Sequence, residues 1–376
     1  MKKLLFLIFC ISFLLIGCQD YVEVENLTIV TAVAIDKAEE NEQGYKISVE
    51  IVKFESDQTN TTIVEAQGET FAQAINNAVK ITGNDLYFSH AQAIIISEEV
   101  ASESIYEFID YAYRNTDFRL NTDFLVSKDA KASEILSANS LIDDIAGVQI
   151  KKMVDSNELI SQVPAVPIYE FIDDVSTEGI CGILPVVTLV TDQNEENLRE
   201  ISGIAVFDEE YICGYLDENQ TKMLAILQNE TEKGVLLEEN AENTYSFNLI
   251  SAKTEIIPKY ENGEINFYFD VKMKVELIQQ NWNFQYENQQ NLLEIQKNIA
   301  NTMQNNINML INEQKNSGLA DFLGLGNMVY RKYPELWKTE ISQDYENFIK
   351  NLNYTLNVDC EIVGTGLVSS PIIIEK

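Results

Sequence analysis

Histidine is almost missing: the chain has one, His90, in 376 residues. Histidine-based zinc sites, Cys/His knuckles and His-containing triads each need partners that a single imidazole cannot supply. His90 stands in "YFSHAQAIII", at the mouth of an apolar run, and is expected to be a hydrogen-bonded structural residue. Basic side chains are scarce too, 26 against 60 acidic, for a net charge of −34. Such a surface repels nucleic acid and anionic headgroups, so basic-patch binding of either is not expected. Cysteines number five, with only Cys181, Cys213 and Cys360 beyond the first twenty residues. Three is odd, and a chain of this length can bury a core without staples. Cys181 and Cys213 each precede a glycine in apolar surroundings. A bridge between them stays open, with buried free thiols the favoured reading. Beyond the N-terminus no apolar run is long enough to cross a bilayer.

The N-terminus itself is the most informative stretch. Lys2 and Lys3 precede an uncharged run from Leu4 to Ile16, 13 residues. As a helix it reaches about 20 Å against a hydrocarbon core of roughly 30 Å. A short basic head before a short apolar run reads as a secretory signal, residues 1–17, removed on maturation. Leu15-Ile16-Gly17-Cys18 matches a bacterial lipobox, so Cys18 is expected to become the lipidated N-terminus, carrying diacylglyceryl and N-acyl lipid. Without residues 1–17 the chain has 24 basic and 60 acidic side chains, a net charge of −36. Electrostatics cannot hold such a body to a membrane. Acyl chains can, at about 0.8 kcal/mol per buried methylene.

With 45% apolar and 10% aromatic residues the chain is globular, and its length suggests two or three domains. The fold class expected is α+β, or mixed α/β, in several domains. An N-terminal α/β domain spans 18–197 and a C-terminal region spans 198–376, with a further division allowed near 230–280. Leu27 to Ile35 reads as a strand covered on both faces. "YKISVEIVKF" alternates, with Tyr45, Ile47, Val49 and Ile51 on one face and Lys46, Ser48 and Glu50 on the other, a half-buried strand. A helix follows Gly68, then "HAQAIIIS" as a strand, "EEVASESIYEFIDYAYR" as one helix and "RLNTDFLVSK" as another strand. Helices are expected around Lys131–Leu136 and Asp143–Asp155, with Pro164 and Pro167 marking a turn or linker. "ISGIAVFDEEYICGYLD" is a hairpin leading into a helix from about Glu218 to Leu227. Two long strands flank Asn262-Gly263, a strong hairpin turn. A long helix from Glu287 to about Lys315 carries Ile295, Ile299, Met303, Ile307, Leu310 and Ile311 on one stripe. After a glycine-rich break, "PELWKTEISQDYENFIK" is a helix begun by Pro334, and "LNYTLNVDCEI" is a last alternating strand.

Paired acids recur at Asp143-Asp144, Asp173-Asp174, Glu195-Glu196, Glu209-Glu210 and Glu238-Glu239. Among 60 acids adjacent pairs arise by chance, and these read as solvated surface rather than a two-carboxylate hydrolase. "DQNEEN" lacks the glycine and spacing of a calcium loop, and "LGLGN" is too short for a phosphate cradle and has no lysine. No catalytic constellation, metal site or cofactor site follows, and the chain is expected not to be an enzyme.

Four ordered segments carry a family resemblance: "GCQDYVEVENLTIVTAVAIDKA", "LYFSHAQAIIISEEVA", "ISGIAVFDEEYICGYLDENQT" and "ADFLGLGNMVYRKYPELWK". Together they resemble the Ger(x)C (GerAC-like) lipoproteins, the C subunits of spore germinant receptors. Gln19 departs from the pattern, where the family usually has Trp. The resemblance implies a non-enzymatic subunit on the outer surface of the spore inner membrane, beside multi-pass membrane subunits, with no bound cofactor. In the fourth segment Asp321, Gly324, Gly326 and Trp337 are the candidate surface or hinge residues. The plainer reading puts the glycines in tight turns and Trp337 in the core. The alternative function is a solute-binding lipoprotein of a membrane transporter. An extracytoplasmic hydrolase is a weaker third.

Overall fold

The computed structural model describes residues 27–38, 44–55, 58–140, 142–159, 162–231, 234–239, 244–280 and 289–364. The expected signal peptide and Cys18 lie outside them. The fold is mixed α+β, built on two sheets. In the first, β1 (Leu27–Lys37), β2 (Tyr45–Glu55), β3 (Gln58–Gly68), β4 (Asp85–Tyr87), β5 (Ala93–Ser97), β6 (Asp123–Ser127), β7 (Ile183–Thr191), β8 (Asn197–Asp208) and β9 (Tyr211–Leu216) run in the order β3-β2-β1-β5-β6-β7-β8-β9, with β4 beside β1. Strands β1, β5, β6 and β7 are parallel, and an antiparallel hairpin closes each side. Helices α1 (Phe71–Thr82), α2 (Glu98–Glu103), α3 (Tyr106–Arg114), α4 (Ala132–Ser137), α5 (Ala146–Leu159) and α6 (Ile168–Ser176) connect them. Burial on both faces explains the near-continuous apolar runs of β1, β5 and β6.

After α7 (Glu218–Gln228) comes the second sheet, β10 (Gly234–Glu239), β11 (Thr244–Glu261), β12 (Glu264–Gln280) and β13 (Asn353–Gly364), in that order. Asn262 and Gly263 both take positive φ in the β11–β12 turn, as that dipeptide favours. Between β12 and its parallel partner β13 lie α8 (Gln289–Asn316), α9 (Leu325–Lys332), the short α10 (Pro334–Leu336) and α11 (Tyr345–Lys350). The stripe Ile295, Ile299, Met303, Ile307, Leu310 and Ile311 on α8 is buried as its spacing requires.

Several expectations are corrected. Strand β2 is not half-exposed: Ser48 and Glu50 are buried as deeply as Ile47 and Val49. The start of α5 lies on that face, and the Glu50 carboxylate accepts the N–H groups of Ala146 (2.8 Å) and Gly147 (2.9 Å) and the hydroxyl of Thr31 (2.6 Å). "EEVASESIYEFIDYAYR" breaks into α2 and α3 because Ser104 is extended and the Ile105 N–H donates to the Glu210 carbonyl instead. "PELWKTEISQDYENFIK" is likewise not one helix, widening to a π-type turn at Trp337–Ile341 and tightening at Ser342–Asp344 before α11. Pro167 caps α6, a helix unmarked in the sequence. Strands β3, β7 and β10 were also not expected. Pro185 argues against β7, and the structure places it at a register shift where a missing N–H is tolerated. The first sheet runs on to Leu216, and the change of sheet falls between β9 and β10.

Helix α4 is held at both ends by buried charge. Asp36 on β1 accepts the N–H groups of Ala132 (2.7 Å) and Ser133 (2.9 Å). At the other end the Arg199 guanidinium on β8 donates to the carbonyls of Ile135 (2.7 Å), Leu136 (2.8 Å) and Ala138 (2.7 Å), and to Gln149 Oε1 (2.5 Å). Anion at the N-terminus and cation at the C-terminus both match the helix dipole. Burial lowers the Arg199 pKa to about 10, which leaves it charged at neutral pH. Arg199→Ala orphans these carbonyls and is expected to cost about 3 kcal/mol in urea unfolding, against about 0.5 kcal/mol or less for exposed Glu200→Ala.

Candidate functional site at the seam between the sheets

Two turns meet where the sheets join: Thr177–Gly182, between α6 and β7, and Gly318–Gly324, between α8 and α9. Their backbones bond directly. The Cys181 N–H donates to the Asp321 carbonyl (3.3 Å) and the Asn327 N–H to the Gly179 carbonyl (2.7 Å). Side chains add Asn327 Nδ2 to the Glu178 carbonyl (3.0 Å) and Trp337 Nε1 to Glu178 Oε2 (2.5 Å). Gly179 has φ +75° and lies against the Gly326 backbone, where a Cβ would not fit.

Asp321 anchors the seam. Its carboxyl, 4% exposed, accepts the Gly326 N–H through Oδ2 (2.7 Å), so it caps α9, and the same oxygen accepts the Tyr345 hydroxyl. Burial raises the Asp321 pKa, an effect that its hydrogen bonds only partly oppose. A Cβ on Gly326 would strike the Tyr345 ring, so glycine is required for this closure. The four residues singled out in the fourth segment are therefore brought together, but inside. Asp321 and Trp337 are both 4% exposed, Gly324 takes φ +67° at the start of α9, and none of the four is a surface residue. Sequence reasoning missed their partners Glu178, Gly179 and Tyr345. Only the turn-like "STEG" around Glu178 carried any signal.

Beside this cluster lies a cavity of about 670 Å³, lined in part by Glu178, Ile180, Leu319, Asp321, Tyr345 and Lys350. A groove of about 350 Å³ on the seam gathers Glu170, Asp174, Glu230 and Arg331. The Asp174 carboxyl is pushed up to about 7 by burial, then by the charges of Glu170, Asp173 and Glu230. The remaining expectations fall elsewhere. Cys181, Cys213 and Cys360 are all free. Cys181 and Cys360 are buried, but Cys213 is exposed, on an edge strand of the first sheet. His90 is exposed in a turn before β5, its ring edge-on to Tyr87 at 5.6 Å rather than hydrogen-bonded in the core. Glu195-Glu196 and Glu209-Glu210 sit in hairpin turns, and Asp143 pairs with Lys152 at 2.8 Å. Among the described residues no cluster of three or more His, Cys, Asp or Glu could hold a metal ion, and no helix is long and apolar enough to cross a membrane.

Comparison with known proteins places this two-sheet architecture in a family. Residues 20–189 match the family described as spore germination protein N-terminal domain, and residues 202–366 match spore germination B3/GerAC like, C-terminal. The chain belongs to the Ger(x)C family. Among its relatives in Bacillus subtilis (strain 168), spore germination protein KC is 24% identical, over 95% of this chain and 94% of that protein. Spore germination protein B3 is 18% identical over 94% and 95%. The crystal structure of the GerBC protein shares the fold with a TM-score of 0.57 at 14% identity, covering 88% of this chain and 96% of that one.

The groove generates a pH test. Asp174 binds its proton more tightly folded than unfolded, so its contribution to stability is full below about pH 4. It declines as the pH rises toward 7 and is lost above that. Asp174→Asn is expected to raise Tm relative to the parent protein at pH 8, with the difference vanishing near pH 4 in thermal melts across that range.

Proposed function

We propose that this chain is the lipid-anchored, non-enzymatic subunit of a nutrient germinant receptor complex, required for triggering spore germination. The two family matches carry the proposal: they come in order, cover both halves, and extend to relatives named as spore germination proteins. They favour the receptor reading over the solute-binding one. In this reading Cys18 bears diacylglyceryl and N-acyl lipid and holds the protein on the outer surface of the spore inner membrane, against the multi-pass subunits. No cofactor is involved.

Eight residues separate Cys18 from Leu27, where β1 begins, so the tether spans at most about 30 Å. The end of the first sheet carrying Leu27 and its parallel partner Asp85 is thereby kept near the bilayer. The body has only its acyl chains to hold it there, because its net negative charge opposes anionic lipid. Two measurements bear on this. Deleting the gene is expected to abolish or strongly slow germination with at least one nutrient, and normal responses to all nutrients, with no sister receptor present, would count against the receptor role. Cys18→Ala is expected to abolish fatty-acid labelling and release the protein from membranes; labelling that persists would overturn the anchor.

A further inference from the structure

We propose that the end of the first sheet carrying Leu27 is a membrane-contact face, with Ile81, Tyr113 and Tyr169 seated among phospholipid headgroups. The proposal rests on the lipid anchor at Cys18 and says which surface that anchor turns to the bilayer.

Topology brings the three side chains to one end. Strands β1, β4, β5 and β6 are parallel, with Leu27 opposite Asp85, Ala32 opposite Ala93 and Ala93 opposite Asp123, so all four begin there. Helices α1, α3 and α6 cover one face of the sheet, joined by ring contacts of Phe71 with Phe108, Phe108 with Phe124 and Phe124 with Phe171. Ile81 lies in the last turn of α1, just before β4, and Tyr113 in the last turn of α3. The link from α3 to β6 runs beside the link from β4 to β5: Phe118 stacks on Phe88 at 4.4 Å, and the Ser89 hydroxyl donates to the Asp117 carbonyl at 3.1 Å. Tyr169 opens α6 against the same link, its N–H donating to the Leu120 carbonyl at 2.9 Å.

Ile81, Tyr113 and Tyr169 are 63%, 68% and 53% exposed. Singly such residues are ordinary surface, but these three gather at the tethered end. Tyrosine suits the headgroup layer, where its ring finds apolar contact and its hydroxyl stays hydrated. The tether selects this end. Leu27 is held within about 30 Å of the lipid, whereas Lys37, at the other end of β1, lies about 33 Å further along the strand.

Charge permits the approach. Lys80, Arg114 and Arg119 stand here among Asp85, Asp110 and Asp117, with Arg114 paired to Asp110 at 2.8 Å. This end is balanced, while the chain without residues 1–17 carries −36. A balanced end can approach anionic headgroups that the rest of the body repels, and long Lys and Arg stems keep their charges in water beside an apolar contact. The contact sets orientation, while the acyl chains supply retention.

The test uses the full-length lipidated protein in vesicles of equal parts phosphatidylcholine and phosphatidylglycerol, with and without bromine on the upper acyl chains of the phosphatidylcholine. Tyr113→Trp and Tyr169→Trp, made singly, report contact as tryptophan quenching beyond that of the parent protein. The reference is Ala72→Trp, exposed in the first turn of α1, about 14 Å back along that helix from Ile81. All three replace exposed side chains and are expected to melt like the parent protein. Quenching of both tyrosine variants about threefold or more above that of Ala72→Trp supports the face. Equal quenching at the three positions overturns it. So does the absence of quenching in the tyrosine variants, the result expected of a face reserved for a protein neighbour. Vesicle flotation reads the anchor separately: protein that floats unquenched keeps the anchor and loses this face, and protein that fails to float loses both.

Discussion

A helix end buried against a sheet loses the water that would have satisfied its terminal N–H or C=O groups, so something else must satisfy them. This constraint organises the protein. Helices α4, α5 and α9 all begin in the interior, and each start is met by one buried carboxylate: Asp36, Glu50 and Asp321. The buried end of α4 is met by Arg199. Of these four caps, Asp321 lies five residues from the N–H it caps, and the other three come from segments more than sixty residues away in sequence. The caps therefore do more than end helices. They fix α4 between β1 and β8, and set α5 on the face of β2.

The seam follows from the same logic. Asp321 caps α9 and draws in Tyr345, while Gly179 and Gly326 let two backbones meet where any side chain would keep them apart. Helix α7 adds a further tie. Asn229, in the left-handed conformation at its end, exchanges two hydrogen bonds with the Thr254 backbone on β11 (2.7 and 2.9 Å), and the Thr254 hydroxyl returns to Ile226 (2.7 Å). The halves are joined by hydrogen bonds between the two turns, among them those from the Cys181 N–H to the Asp321 carbonyl, from the Asn327 N–H to the Gly179 carbonyl and from Trp337 to Glu178.

The acidity of the chain sits easily with this interior. The buried charges Asp36, Glu50, Arg199 and Asp321 are spent largely on backbone groups, where a carboxylate or guanidinium bond is stronger than a neutral one, and buried Asp123 pairs with Lys151. Asp174 differs from these. It is partly buried among other carboxylates, and the protein tolerates the strain by holding a proton there near neutral pH.

Much of the architecture was legible in the sequence, because periodicity reports burial directly. The stripe on α8, the alternation of β13, the Asn262-Gly263 turn and the apolar runs of β1 and β5 all say which face meets the core, and the structure agrees. What misled was polarity on a strand. Ser48 and Glu50 alternate like solvent-facing residues, yet a helix start from nearly a hundred residues away covers them, and no local pattern records that. The breaks at Ser104 and Trp337 were hidden for the same reason, since a distant carbonyl and a crowded seam outweighed good helical spacing. The four ordered segments sufficed for the family, since a resemblance depends on residue type and local order. Which carboxylates are buried, that Asp321, Gly324, Gly326 and Trp337 form an interior joint, and that a cavity opens beside them were decided by tertiary structure alone. They depend on which segments meet, and in this chain the deciding contacts are side chains capping backbone far away in sequence.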